Sequence, residues 1–185
     1  KAIEWFDLDG VGKSPSRFDV AKLTNLNAQY MREADSARLA ELIEPALAER
    51  LGRDMNDEEK KRIAKGMDGL KERAKTVIEL SENAFFYIAP RPLQMNEKAK
   101  KLLADDGLEK ISVLRSKLAD LENWTPEAME TVVKQLAETQ DIKLGKLAQP
   151  LRAALSGSNI SPGIYDVMNV LGRDEALGRL DDVLK

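Results

Sequence analysis

The chain has 185 residues, and its 29 Lys and Arg against 32 Asp and Glu give a net charge of −3. It contains no cysteine and no histidine, which excludes disulfides, thiolate metal sites and an imidazole acting as base or metal ligand. No apolar run approaches the ~20 residues that cross a bilayer, and glycine and proline are scarce. The composition therefore predicts an all-α protein that is not embedded in a membrane and works in the cytoplasm.

The first eighteen residues hold Trp5, Phe6 and Phe18 around glycines and Pro15. This mixture predicts an irregular, partly packed segment. From Asp19 onward, leucines spaced three apart predict the first long helix.

The next helix is predicted to start at Asp35 and Ser36 and to end at Gly52. Pro45 lies inside this pattern, so we expect it either to kink the helix or to split it in two.

Asn56 and Glu59 form a pattern similar to a capping box and predict another helix start. The apolar residues that follow are spaced four, three, four and three apart, which predicts a single buried stripe. The stripe consists of Ile63, Met67, Leu70, Ala74 and Val77.

The opposite side of that helix has two glycines between two arginines. Arg62, Gly66, Gly69 and Arg73 are spaced to lie one above another, which leaves bare backbone between two guanidinium groups. The pattern is compatible with a ligand approaching closely or with a neighbouring element packing there.

Two stretches are basic although the chain as a whole is acidic. Residues 60–75 hold seven cations and two acids, and residues 142–165 hold Lys143, Lys146 and Arg152 without any acid. Either stretch is compatible with an anion-binding surface or with an ordinary solvated helix face.

Two prolines one residue apart, Pro90 and Pro92, favour extended backbone and predict a boundary between residues 1–91 and 92–185. After the boundary, helix starts are predicted at Asn96, at Thr125 and at Ser161, where Pro162 would occupy the first turn. No strand, repeat or catalytic motif is apparent, so we expect no catalytic residue and no metal site in this chain.

Several segments resemble bacterial glutamyl-tRNA synthetase, in the same order along the chain. Residues 143–157, KLGKLAQPLRAALSG, followed by SPGI at 161–164 and LGRDEAL at 171–177, are similar to the C-terminal end of that family. Residues 5–23, 72–80 and 124–127 are similar to earlier segments of the same region. Because the chain also begins with Lys1 rather than Met, we expect it to be a fragment of a longer protein.

The resemblance implies two packed helical subdomains that form an anticodon-binding helical cage. It implies a monomeric tRNA-reading module of a glutamate–tRNA ligase, whose whole protein would use ATP and magnesium while this part needs no cofactor. The tRNA would be specific for glutamate, with glutamine tRNA as a further possibility. The alternative is a helical protein-interaction or regulatory module derived from that region.

The resemblance also assigns roles to individual residues. Arg73 matches the family arginine associated with the third anticodon base. Arg152 and the turn at 161–164 match the contacts to the first two bases; the turn consists of Ser161, Pro162, Gly163 and Ile164. Contacts to phosphates or to the tRNA stem are expected from Lys22, Asn27, Lys143 and Lys146.

The chemistry of these residue types agrees with such roles. An arginine offers only donors, and cytosine presents the acceptors O2 and N3 where guanine presents N–H groups, so Arg73 would favour an anticodon that ends in C. Ser161 at a helix start would leave free N–H groups for a phosphate or a base carbonyl. Pro162 and Ile164 would provide an apolar shelf for a base.

Overall fold

In a computed structural model, which describes residues 1–10, 12 and 18–185, the chain forms eleven α-helices and two short 3₁₀ turns at Leu8–Gly10 and Phe85–Tyr87. The helices are α1 (Ala2–Trp5), α2 (Val20–Glu33), α3 (Ser36–Leu51), α4 (Asp57–Lys71), α5 (Val77–Ala84), α6 (Glu97–Leu103), α7 (Gly107–Ala119), α8 (Pro126–Thr139), α9 (Gly145–Ser156), α10 (Ile164–Leu171) and α11 (Arg173–Val183). Residues 11 and 13–17, including Pro15, lie outside the described residues. The described part of the chain contains no strand, so the all-α prediction is confirmed.

Most helices begin where a short polar side chain can accept a hydrogen bond from the first turn. The side chains that accept one are Asp19, Asp35, Asn56, Thr76, Asn96 and Thr125. The capping box predicted at Asn56 and Glu59 is present with both of its hydrogen bonds. These bonds satisfy N–H groups that have no partner inside the helix.

Helix α3 runs without interruption through Pro45 and ends at Gly52, whose φ of 71° is left-handed. Pro45 therefore does not split the helix, and that half of the expectation is wrong. The predicted glycine terminus is confirmed.

The predicted single stripe is wrong in its last two members, because Ala74 is buried in the turn beyond the end of α4 and Val77 belongs to α5. Helix α4 ends at Lys71, and Val77 is 38% exposed at the start of α5. The Thr76 hydroxyl accepts from the Glu79 amide at 3.1 Å, and the Glu79 carboxylate accepts from the Lys75 amide at 2.8 Å. These two bonds start a new helix, so the chain turns although the spacing of apolar residues continues.

The aromatic residues described in the first segment are exposed rather than partly packed. Trp5, Phe6 and Phe18 all lie largely in solvent. Helix α2 buries Ala28 and Met31 and exposes its other apolar residues. The exposed apolar residues of α2 are Val20, Leu23, Leu26 and Tyr30.

The glycines of α4 are covered by the protein itself. A Cβ at Gly66 would lie 2.6 Å from the Tyr87 ring, and a Cβ at Gly69 would lie 3.1 Å from Cβ of Pro162. The close approach predicted for this helix face is therefore made by neighbouring elements of the fold. Arg62 adds to it by donating to the Tyr87 carbonyl at 3.0 Å.

One hydrophobic cluster includes buried residues from both sides of the segment around Pro90 and Pro92. Helices α4 and α10 pack directly against each other across that segment. The division into 1–91 and 92–185 stays a prediction, and the two parts share one core. Among the described helices, none has the length and apolarity needed to cross a membrane.

Candidate nucleic-acid interface

Arg73 lies in the turn between α4 and α5, and the backbone of this turn is held on both sides. Its amide donates to the Leu70 carbonyl at 3.0 Å. Two residues later, the Lys75 carbonyl accepts a hydrogen bond from the Asn27 side chain at 2.6 Å. The turn is therefore fixed while the Arg73 side chain is exposed.

Most basic side chains of the stretch at 60–75 form ion pairs or hydrogen bonds with other residues of the protein. Lys60 and Lys61 pair with Glu44 and Glu58, and Arg62 binds the Tyr87 carbonyl. Further internal bonds are formed by Lys65 to Asn169 and by Lys71 to Ala34, Ser36 and Asp68. Within the described part of the chain, the side chains of Arg73 and Lys75 are the two cations of this stretch that have no such partner.

Arg152 in α9 holds the turn that precedes α10. Its Nη1 donates to the carbonyls of Ser161 at 2.9 Å and Pro162 at 2.7 Å, and it also contacts the Ser161 hydroxyl. The side chain is half-buried. Of its donors, only Nη1 has a partner among the described residues, so Nε and Nη2 can still donate to a ligand.

The end of α4, which leads to Arg73, packs from the other side of the linker against the turn that Arg152 holds. Burial lowers the pKa of the Arg152 guanidinium, and the positive charge of Arg73 lowers it further. The contact of Gly69 with Pro162 joins the same two regions. Two guanidinium groups whose positive charges repel each other favour a negatively charged or acceptor-rich ligand.

The predicted role of Ser161 as the start of a helix is wrong. Helix α10 begins at Ile164 with Gly163 as its N-cap, and no side chain caps it. Ser161 is 5% exposed, and its hydroxyl is held between Arg152 and the Pro162 carbonyl. Arg152, nine residues earlier, donates a hydrogen bond to this hydroxyl, which is therefore not available to cap the helix.

The anion site expected at this helix start is also corrected. The Asp166 carboxylate lies against Gly163, in the first turn of α10. A negative side chain there already offsets the positive end of the helix dipole and repels a phosphate.

The apolar shelf expected from Pro162 and Ile164 is wrong as well, because both residues are buried in the fold. Ile160 lies next to them and is 66% exposed. Sequence reasoning missed this residue. The feature of the sequence that could have identified Ile160 is a single large apolar side chain in the polar run SGSNIS at 156–161.

The other predicted contact residues lie on exposed surfaces. Lys143 and Lys146 are exposed around the start of α9, and Lys22 is exposed in the first turn of α2. Asn27 is also exposed, but its amide donates to the Lys75 carbonyl and so positions the turn that carries Arg73. Lys110 and, more weakly, Lys146 lower the pKa of Asp106, so the surface near Lys146 carries both signs of charge.

Comparison with known proteins identifies the family to which the chain is similar. Residues 38–184 match a family model described as an anticodon binding domain. The chain is 51% identical over 185 residues to glutamate–tRNA ligase 2 of Paramagnetospirillum magneticum, covering 100% of this chain and 39% of that protein. It is 53% identical over 184 residues to glutamate–tRNA ligase 2 of Rhizorhabdus wittichii, again covering 100% of this chain and 39% of that protein.

A crystal structure of a glutamate tRNA ligase from Elizabethkingia meningosepticum, in complex with its amino acid, is similar over 97% of this chain and 35% of that chain. The TM-score is 0.78 at 25% sequence identity. The glutamate-tRNA synthetase of Elizabethkingia anophelis gives a TM-score of 0.74 at 26% identity, over 97% of this chain and 34% of that chain. The chain thus spans about two fifths of the length of the curated relatives that it matches.

Proposed function

Since the chain belongs to the anticodon-binding domain family, we propose that it reads the anticodon of a glutamate tRNA in the region where Arg73 and Arg152 meet. The longer protein would then attach glutamate to tRNA with ATP and magnesium, as a cytoplasmic monomer. The observation that carries the proposal is the pair of converging arginines, one exposed and unpaired within the described residues and one holding a turn.

Arg73 would read the last anticodon base. Its guanidinium can donate two parallel hydrogen bonds to O2 and N3 of cytosine, whereas guanine places N–H donors toward it. The bonds on both sides of the turn limit the backbone freedom that Arg73 would otherwise lose on binding. Reading the Watson–Crick edge of an unstacked base is the common route to sequence-specific RNA recognition.

Arg152 would act differently from Arg73. Because Nη1 is bonded to the turn, the residue shapes the backbone at 161–163 and offers only its remaining donors to the RNA. Gly163 is exposed beside this guanidinium, so the backbone there is within reach of a base. The exposed Ile160 would supply the apolar surface against which a splayed base packs.

Lys22, Lys143 and Lys146 would contact phosphates. Such contacts contribute affinity and salt dependence but carry no sequence information. They would therefore bind every tRNA alike.

The decisive experiment compares Arg73→Gln with Lys75→Gln, a matched control that removes an equally exposed cation two residues away. Binding is titrated with a glutamate tRNA whose anticodon ends in C and with the same tRNA ending in G. We expect Arg73→Gln to reduce the preference for C by about 5- to 150-fold, the equivalent of about 1–3 kcal/mol for a bidentate base contact. Lys75→Gln should weaken both tRNAs equally.

An equal loss on both tRNAs for Arg73→Gln would identify it as a phosphate contact and would contradict the proposed reading of the base. Binding by the unaltered chain should also weaken steeply as salt is raised. The exposed apolar face of α2 favours one other candidate, a helical protein-interaction module. That candidate predicts no binding of tRNA and little dependence on salt.

A further inference from the structure

Arg179 in α11 is a buried charge. It is 1% exposed, and it is among the largest fully buried side chains of the protein. Arginine is almost never buried to this extent unless it is paired and hydrogen-bonded. Its hydrogen-bond partners therefore show which parts of the fold it holds together.

All three nitrogen atoms of the Arg179 guanidinium have acceptors, and these lie on three different parts of the chain. Nε donates to the Glu175 carboxylate at 2.7 Å, one turn earlier in α11. Nη1 donates to the Leu155 carbonyl at 2.7 Å, and Nη2 donates to the Tyr87 carbonyl at a longer 3.5 Å. A planar fork with fixed angles can hold such a set, whereas a flexible ammonium group cannot reproduce it.

The Leu155 carbonyl belongs to the last turn of α9, the helix that carries Arg152. Carbonyls in a last turn have no partner within their own helix and lie at its negative end. Arg179 supplies the missing donor and a positive charge there. It thereby fixes the end of α9 close to Arg152.

Tyr87 connects the same arginine to the helix that leads to Arg73. Its carbonyl also accepts from Arg62 of α4 at 3.0 Å, and its ring packs against Gly66 of α4. A continuous path of hydrogen bonds therefore joins α4 to Tyr87, Tyr87 to Arg179, and Arg179 to the end of α9.

We propose that Arg179 is a positioning residue, which sets the spacing between α4 and α9 and thereby the distance from Arg73 to Arg152. This inference rests on the proposed reading of an anticodon between those two arginines. Arg179 itself is buried and touches no RNA. Its effect on recognition passes through the end of α9, which it holds, and through the Tyr87 carbonyl, which it shares with Arg62 of α4.

The matched variants are Arg179→Lys and Arg115→Met. The first keeps the buried positive charge but loses the fork. The second removes a bidentate ion pair from Arg115 to Asp181 of the same helix α11, but this pair joins α11 to α7 within the part of the chain after the linker. Circular dichroism first establishes that both variants are folded.

The distance is measured directly. Because the chain has no cysteine, spin labels can be placed on Ala64→Cys in α4 and Gln149→Cys in α9, both at exposed positions, and the distance between them can be read by pulsed electron resonance. We expect Arg179→Lys to shift or broaden the distance distribution by about an ångström or more, while Arg115→Met leaves it unchanged. The unlabelled variants are then titrated with the glutamate tRNAs that end in C and in G.

Arg179→Lys should reduce the preference for C by about tenfold, because a small misplacement of paired groups weakens a geometry-dependent contact strongly. An unchanged distance, or a changed distance with an unchanged preference, overturns the positioning role alone. An unaltered chain that shows no preference between the two tRNAs overturns the proposed function, and this inference with it.

Discussion

The Glu59 carboxylate accepts hydrogen bonds from the Asn56 amide at 2.9 Å and from both terminal nitrogens of Arg53 at 2.6 and 2.9 Å. It thus completes a capping box and an ion pair at the same time. The hydrogen bond from Arg53 is the main reason that the pKa of Glu59 lies below its usual range, and burial opposes it.

A group whose pKa is lowered by folding stabilises the folded state above its unfolded pKa, and it loses this contribution as the pH falls through the folded pKa. We therefore expect Glu59→Gln to be less stable than the unaltered chain at about pH 7, with the difference shrinking toward about pH 3. Glutamine can still form the capping box, so the variant removes the charge and one of the two acceptors for Arg53 while the helix cap is kept. Urea unfolding at each pH measures the difference, and a gap that stays constant with pH would contradict the assignment.

At the scale of the element, α4 is a helix whose two glycines are packed to different degrees. A Cβ at Gly66 would lie 2.6 Å from the Tyr87 ring, which is closer than real contacts allow. At Gly69 the nearest atom would be Cβ of Pro162 at 3.1 Å, which a small shift can relieve. Where no neighbour crowds the added Cβ, replacing glycine by alanine in a helix stabilises the folded state by about 1 kcal/mol.

Gly66→Ala should therefore destabilise the protein by about 1–2 kcal/mol, because overpacking exceeds the gain in helix propensity. Gly69→Ala should change the free energy of unfolding by less than about 1 kcal/mol. Urea denaturation of the two variants side by side provides the comparison. If Gly66→Ala were the more stable of the two, the Tyr87 ring could not be packed as described.

For the molecule as a whole, the continuity of the core across the linker has a consequence for unfolding. Buried residues on both sides form one cluster, and Lys65 and Arg91 bind Asn169 and Asp182 in the part of the chain after the linker. Cores that are shared in this way unfold cooperatively.

We expect a single unfolding transition in urea. Trp124 lies after the linker, so its fluorescence in a Trp5→Phe variant reports on that part of the chain, while far-ultraviolet circular dichroism reports on all helices. The two curves should coincide. Two separated transitions would instead identify residues 1–91 and 92–185 as independent domains.

The helix starts at Asn56, Asn96 and Thr125 could be predicted from the sequence because each depends on a donor only a few residues away from its cap. Asn56 and Thr125 illustrate this, since both accept from the amide three residues later. The T-x-x-E pattern at Thr76 and Glu79 was equally local, but it was obscured by apolar spacing that continued across the turn.

The errors at the site have a different physical origin. The Ser161 hydroxyl could cap α10 by local rules, but Arg152 reaches it from another helix. Likewise, nothing near Pro162 in the sequence indicates that Gly69 will cover it. The resemblance to a family identified the two arginines, whereas the buried Arg179 depends on contacts between distant segments.

The tether from Asn27 to the turn that carries Arg73 ends on a main-chain oxygen. Every amino acid at position 75 would present that same oxygen, so this tether does not depend on the side chain of residue 75. The tether does depend on the side chain of residue 27, because the donor is an amide at the end of a short side chain. The conformation of the turn that carries Arg73 thus depends on a residue that lies far earlier in the sequence.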